Sequence, residues 1–202
     1  MPYQFSVAVR NGQLDATETV IGTSAIMRIR TGANPANCAA ADTGTVLATL
    51  NLPSDWMAAA SGGSKALSGT WQDTSADATG TAGHFRIYDT AGTTCHIQGS
   101  VGVSSTLTTS ASTAANFNVL TFASGVTSGL VGTNVSGTGI VAGTTVIETS
   151  GTTGVTLSLA STAGVSSGVV ITFGFDLNVD SVSFTAGQQF TVNSFTLTAG
   201  NA

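Results

Sequence analysis

The chain has 202 residues, 42% of them hydrophobic and only 7% charged, with 25 glycines and a net charge of −5. That length is enough to bury a real core, in one generous domain or two small ones. All five bases (Arg10, Arg28, Arg30, Lys65 and Arg86) lie in the first part of the chain, so no basic groove for phosphates extends through the rest and no run approaches the ~18 apolar residues of a membrane span; both observations argue against nucleic acid and membrane as partners.

The N-terminus has neither the basic start nor the apolar run of a secretory signal, so synthesis in the cytosol is expected. Abundant Thr, Val and Gly favour short strands and turns over helices, and the expected fold is mainly β. With so few charges to protect edges and faces, such a chain is expected to associate with copies of itself.

Residues 6–21 are the one helix the pattern supports, with Val7, Leu14 and Ile21 on a stripe and Arg10, Asn11, Asp15 and Glu18 off it. Ser6 caps this helix and Gly22 ends it. Gly12 weakens it by about 1 kcal/mol relative to Ala, so packing must hold it, over a sheet or into a partner. Ala25, Met27 and Ile29 then alternate with Ile26, Arg28 and Arg30 as a strand whose Arg face is solvated or paired with acid, solvation being the preferred reading. Residues 32–44 have turn chemistry throughout, and Val46, Leu50 and Leu52 mark a second strand stopped by Pro53. Trp56 and Met57 read as an anchor packed on the sheet, with a stacking platform for a sugar or base as the lesser reading. Residues 67–71 suggest a short strand between the soft tracts 58–63 and 73–83.

Residues 83–103 carry the strongest local signal. Two alternating runs read as strands, and pairing Phe85 with Ile97 and Ile87 with Cys95 leaves Thr90-Ala91-Gly92 as a three-residue turn with Gly at its left-handed position. That register gathers His84, Arg86, Tyr88, Thr94, His96 and Gln98 on one polar face, a candidate contact surface. From 106 to 172 a single charged residue, Glu148, interrupts a tract of Thr, Ser, Gly and aliphatic residues. Five apolar runs (119–122, 131–135, 145–147, 155–159 and 169–173) suggest a separate small β module. Residues 169–179 alternate strictly, as one long strand or two laid end to end. Phe184, Phe190 and Val192 flank a turn at 185–187, and Phe195 with Leu197 fill a last strand whose phase shifts as a bulge would shift it.

No motif points to catalysis. Gly164-Val165-Ser166-Ser167-Gly168 has the letters of a nucleophile elbow, but a β-branched run follows it where a helix would have to open. Gly137-Thr138-Gly139 with Gly143 is not a dinucleotide fingerprint, and no Lys is near it for a phosphate loop. His84 and His96 want a third ligand for a metal, and the pairs Asp73/Asp77 and Asp176/Asp180 lack the spacing of a calcium loop, so no metal or other cofactor is expected. Cys38 and Cys95 are either two thiols, buried or half-buried, or one disulfide.

Five segments carry a resemblance: Arg30-Thr31-Gly32; residues 35–44, PANCAAADTG; residues 52–57, LPSDWM; residues 83–89, GHFRIYD; and residues 94–99, TCHIQG. Over these, and in the closing residues 195–200, FTLTAG, the chain resembles a family of small virion proteins of tailed bacteriophages, typically placed among head genes near the major capsid protein. The family has no catalytic motif. This sequence departs from many relatives by inserting 106–172, whose residues 135–146 are similar to a β module recurring in phage head, tail and baseplate proteins.

The expectation is therefore a mainly β protein: a β-sandwich-like base domain (1–105 and 173–202) with one N-terminal helix, plus an inserted all-β module (106–172). The expected function is that of a non-enzymatic capsid decoration, or cement, protein on the outer surface of the head, binding across major capsid protein subunits and to copies of itself. Candidate contact residues are Arg10, Leu14, Trp56, Met57, His84, Arg86, Tyr88 and His96. The alternative is a tail or fibre adhesion module binding a host glycan; a virion hydrolase is a third and weaker reading.

Overall fold

The Ser6 side chain accepts a hydrogen bond from the Val9 N–H, and the Gly22 N–H donates to the Glu18 carbonyl, so both expected caps bound helix α1 (Val7–Ile21). In the computed structural model, which describes residues 4–199, this helix stands before a mainly β chain, 39% strand and 9% helical, built of several small sheets. Two compact units divide it, one running up to Gly102 and resuming at Val179, the other spanning Val103–Asn178.

In the base unit the strands are β1 (Ile26–Thr31), β2 (Val46–Asn51), β3 (Ser64–Ala66), β4 (Trp71–Asp73), β5 (Gly80–Tyr88) and β6 (Cys95–Gly102). An antiparallel sheet takes the order β2-β1-β5-β6. Because alternate residues point to opposite faces, Met27, Ile29, Phe85 and Ile87 share one face and all are buried. Over that face runs a chain of aromatic contacts: Phe85 meets Phe195 edge-on at 5.7 Å, Phe195 meets Trp71 at 5.2 Å, and Trp71 meets Trp56 at 5.8 Å. Both indoles are satisfied, Trp56 Nε1 donating to the Gly22 carbonyl at 3.0 Å and Trp71 Nε1 to the Trp56 carbonyl at 3.1 Å. Trp56 thus ties the end of α1 to the aromatic core.

The C-terminal segments complete this unit. Ser183–Phe184 pairs with β5, Phe190–Val192 with β4 and Thr196–Thr198 with β3, all antiparallel. The turn signal at 185–187 therefore does not make a hairpin, because its two flanking strands pair with different partners. Likewise the expected strand at 67–71 resolves into β3 and β4 on either side of it. The expected bulge at the end is instead a break between two strands on different partners, with Phe195 buried and Leu197 half-buried.

The second unit holds β7 (Ser105–Thr108), β8 (Val119–Thr121), β9 (Asn134–Ser136), β10 (Val146–Ser150), β11 (Gly154–Leu157) and β12 (Val170–Gly174). They form two three-stranded antiparallel sheets, β10-β11-β8 and β7-β12-β9. Leu120, Phe122, Val135, Val155, Leu157, Ile171 and Phe173 are among the residues of a core belonging to this unit alone, with Phe122 and Phe173 edge-on at 5.8 Å. The long alternation at 169–179 breaks after Gly174. Asn178 accounts for the break: its side chain accepts from the Phe175 N–H and donates to the Phe175 carbonyl, closing a turn.

Candidate functional site

The polar face expected on the hairpin exists, but it is covered. Arg86 pairs with Gln98, Ile87 with Ile97 and Tyr88 with Cys95, so the strands are offset from the expected register and His96 is the extra residue of a bulge. His84, Arg86, Tyr88 and Gln98 still share a face, together with Arg28 and Arg30 of β1. Gly92 takes its expected left-handed backbone, φ 68°, and the turn is held instead by Asp89, which accepts from the N–H groups of Thr93 and Thr94.

Over this face lies the loop between β1 and β2. Gly83 lets it approach, because a Cβ there would come within 2.2 Å of the Gly32 carbonyl oxygen. That carbonyl accepts from His84 Nδ1 at 2.9 Å, the Pro35 carbonyl accepts from Gln98 Nε2 at 2.6 Å, and the Cys38 and Ala40 carbonyls accept from the two terminal nitrogens of Arg86 at 2.6 and 3.1 Å. Asp42 is the centre of the lid. Its Oδ1 accepts from Arg86 Nη1 at 2.5 Å and from the Tyr88 hydroxyl at 2.7 Å, while its Oδ2 accepts from Arg30 Nη2 at 2.6 Å. The Arg28 guanidinium stacks over the Tyr88 ring, 4.8 Å from its centre, and donates to the Gly92 carbonyl.

Burial works against the ionised form of Asp42, but the Tyr88 hydroxyl and the two guanidiniums outweigh it and hold the carboxyl below the usual carboxylate range. Burial pushes the His84 imidazole down, and Arg30 and Arg86 nearby push the same way. Its Nε2 is buried without a hydrogen-bond partner in the structure. His84 is thus a neutral ring held by one carbonyl. Chemically this arrangement is a polar interlayer: one carboxylate, occupied on both oxygens, is shared by two guanidiniums, and backbone carbonyls accept further hydrogen bonds from both.

Several expectations about single residues need correction. His84, Arg86 and Tyr88 are almost fully buried within the base unit, so they present no surface to a partner. Trp56, Met57 and Leu14 are buried as well, which makes Trp56 and Met57 the anchor and not a platform or contact. Arg10 is half-buried and its Nη1 donates to the Ala199 carbonyl. Arg30 is paired with acid instead of solvated, because the distant Asp42 reaches it. His96 is likewise half-buried: with Gln13, Ala16, Thr17, Val20 and Ile21 of α1 it lines a shallow cavity of about 350 Å3.

Helix α1 buries Leu14 and Ile21 of its expected stripe but leaves Val7 exposed, and it docks through polar residues as well. Its polar side docks onto residues 57–66: Asn11 accepts from the Gly63 N–H, Asp15 from the Ala60 N–H, and Glu18 from the Met57 N–H. Lys65, only 3% exposed, forms ion pairs with Asp15 at 2.7 Å and Glu18 at 2.9 Å. The outward stripe is Val9, Gln13, Ala16 and Val20, without a charge; Val9 is 46% and Val20 71% exposed.

Among the described residues no group of three or more His, Cys, Asp or Glu side chains gathers as a metal site. The Gly164 to Gly168 letters run into β12, a strand, as their sequence context implies. Asp73 accepts from the Thr49 and Ser75 N–H groups and Asp77 from the Thr49 hydroxyl, which gives this acidic pair a structural use in the loop beside β2. Compared with known proteins, the chain matches no family model, no curated protein and no solved structure.

Proposed function

We propose that this protein is a non-enzymatic structural component of a tailed-phage virion, a decoration protein that binds the assembled head across its capsid subunits. The observation that carries the reading is the uncharged outward stripe of α1. A helix face turned to water normally carries charges; the outward stripe of Val9, Gln13, Ala16 and Val20 carries none, while Glu18 and the half-exposed Asp15 at its flank are engaged by Lys65 and by backbone N–H groups. A face of that kind is stabilised by a protein neighbour. The same economy holds for all five basic residues, each of which has an internal partner: Arg10 a carbonyl, Arg28 a carbonyl and a ring, Arg30 and Arg86 the carboxylate of Asp42, and Lys65 two carboxylates. The phage-like segments supply the class of partner, and they fall largely on this base unit: the Asp42 lid, the Trp56 anchor and the hairpin.

Contact therefore shifts from the buried set to the outward stripe of α1 with His96 beside it. The experiment mixes the purified protein with expanded, undecorated heads and counts bound copies. Hundreds of copies per particle, lost in the double variant Val9→Lys, Val20→Lys without loss of its melting transition, is the expected result. Saturation at a handful of copies at the tail vertex would place the protein elsewhere in the virion. The adhesion alternative draws on Phe117, 62% exposed in the second unit; retained host adsorption by particles lacking the protein, together with loss of their heat resistance, separates decoration from adhesion.

A further inference from the structure

Both cysteines of the chain line one polar cavity of about 540 Å3, Cys38 from the lid and Cys95 from the start of β6, together with Asp42, Arg86 and Tyr88. One guanidinium holds both residues: Arg86 Nε donates to Cys95 Sγ at 3.1 Å and Nη2 to the Cys38 carbonyl at 2.6 Å. Both are free thiols, each half-buried. The bulge at His96 is what makes this possible, since it turns Cys95 onto the Arg86 side; in the unbulged register Cys95 would share a face with Ile87, in the apolar core.

We propose that Cys38 and Cys95 form an intrachain thiol–disulfide latch, open in a reducing medium and closed in an oxidising one, that ties the lid to β6. The oxidant is a low-molecular-weight disulfide. The Cys38 thiolate attacks one of its sulfurs, forming a mixed disulfide and releasing one small thiolate. Cys95 then gives its proton to solvent, and its sulfur attacks the Cys38 sulfur, forming the intrachain bond and expelling the second small thiolate. Two protons leave the protein, and the electron pair reduces the external disulfide to two thiolates. Burial pushes the Cys95 thiol up to about 11, against the pull of Arg86 and with the Cys38 thiol beside it adding to the rise. Closure is therefore gated by the second step, which speeds up by about tenfold per pH unit through the neutral and mildly alkaline range. The first attack falls to Cys38, on the exposed lid.

The bond closes a long loop between the lid and the hairpin, which restricts the unfolded chain and leaves the Asp42 interlayer in place. This inference does not depend on the decoration reading, because it concerns contacts inside the base unit alone.

The test incubates the purified full chain with oxidised glutathione at mildly alkaline pH, then unfolds it in acid, alkylates it and weighs it intact. Expected is a monomer lighter by two hydrogens that takes up no alkyl group and melts higher by roughly 5–15 °C than the reduced chain, the shift being reversed by reductant. Cys38→Ser and Cys95→Ser are expected to show no such shift. A chain that keeps two alkylatable thiols, a persistent glutathione adduct on either cysteine, or a disulfide-linked dimer would each overturn the latch. So would a closed monomer that melts no higher than the reduced one.

Discussion

Asp42 shows how far one side chain reaches in this chain. Among the described residues it is the sole carboxylate bonded to Arg30 and Arg86, and both guanidiniums are nearly inaccessible, Arg86 at 1% exposure. Removing one partner of a buried pair costs about 3–5 kcal/mol, discounted here because a third of the Asp42 side chain still meets water. Asp42→Ala is thus expected to destabilise the base unit by about 2–3 kcal/mol, lowering its melting midpoint by roughly 4–10 °C. Thermal unfolding followed by tryptophan fluorescence reads it directly, since Trp56 and Trp71 lie in this unit. The pH dependence has the same source. His84, whose folded value lies below 6.5, refuses a proton that the unfolded chain accepts, so stability falls as pH drops below about 6.5. Asp42, held below 3.8, keeps its full contribution above that value and loses it as pH falls through its folded value. Acidification should lower the midpoint in two stages, and His84→Gln should abolish the first stage only. A midpoint flat between neutral pH and the carboxylate range would contradict the neutral, buried assignment of His84.

Elements set by local chemistry were legible in the sequence, whereas those set by distant partners were not. Ser6 and Gly22 announced both ends of α1, and the alternation of Met27 with Arg28 announced β1. The hairpin was found, but its register slipped because a bulge at His96 costs nothing that a pattern of alternation can register. The polar face is legible for His84, Arg86, Tyr88 and Gln98 but not for Thr94 and His96, which the bulge and the strand end leave out of the pairing; nor does the pattern show that a turn-rich loop folds back over it. Asp42 sits far along the chain from Arg86 and Tyr88, and that pairing, with the Gly32 carbonyl on His84, accounts for the burial of three alternate polar residues of β5. The docking of α1 through Asn11, Asp15 and Glu18 was missed for a related reason: charged residues off an apolar stripe are ordinarily solvated, and the buried Lys65 that recruits them gives no local signal. Gly12 offers a test at this scale. A Cβ there would meet nothing within 4 Å, so Gly12→Ala removes the helix penalty without a clash. It should raise stability by about 0.5–1 kcal/mol, seen as an increase in the midpoint of roughly 1–4 °C; a decrease would mean that the helix interior is not free at this position.

At the scale of the molecule, the base unit is interrupted after Gly102 and resumes at Val179. The Val179 N–H donates to the Gly102 carbonyl at 2.9 Å, so the two cut ends meet as neighbours, and the strands that follow return to β5, β4 and β3. The second unit has a core made only of its own residues. Its boundaries, at 103 and 178, were expected at 106 and 172; composition marks where Thr and Ser become dense, whereas the compact unit also takes in β7 and the Asn178 turn. A second unit with its own core, entered and left at adjacent points of the base, predicts that residues 103–178 can be excised and the ends joined by a short Gly-Ser link. The shortened chain should unfold in one cooperative transition, with a midpoint within a few degrees of the base transition in the full protein, because excision removes none of the Asp42, Lys65 or aromatic contacts. Circular dichroism and fluorescence melts of the two chains make the comparison. An aggregated or molten product would mean that the base borrows stability from the insertion, whereas a well-folded product that still decorates heads would assign attachment to α1 and leave the second unit free for a separate role.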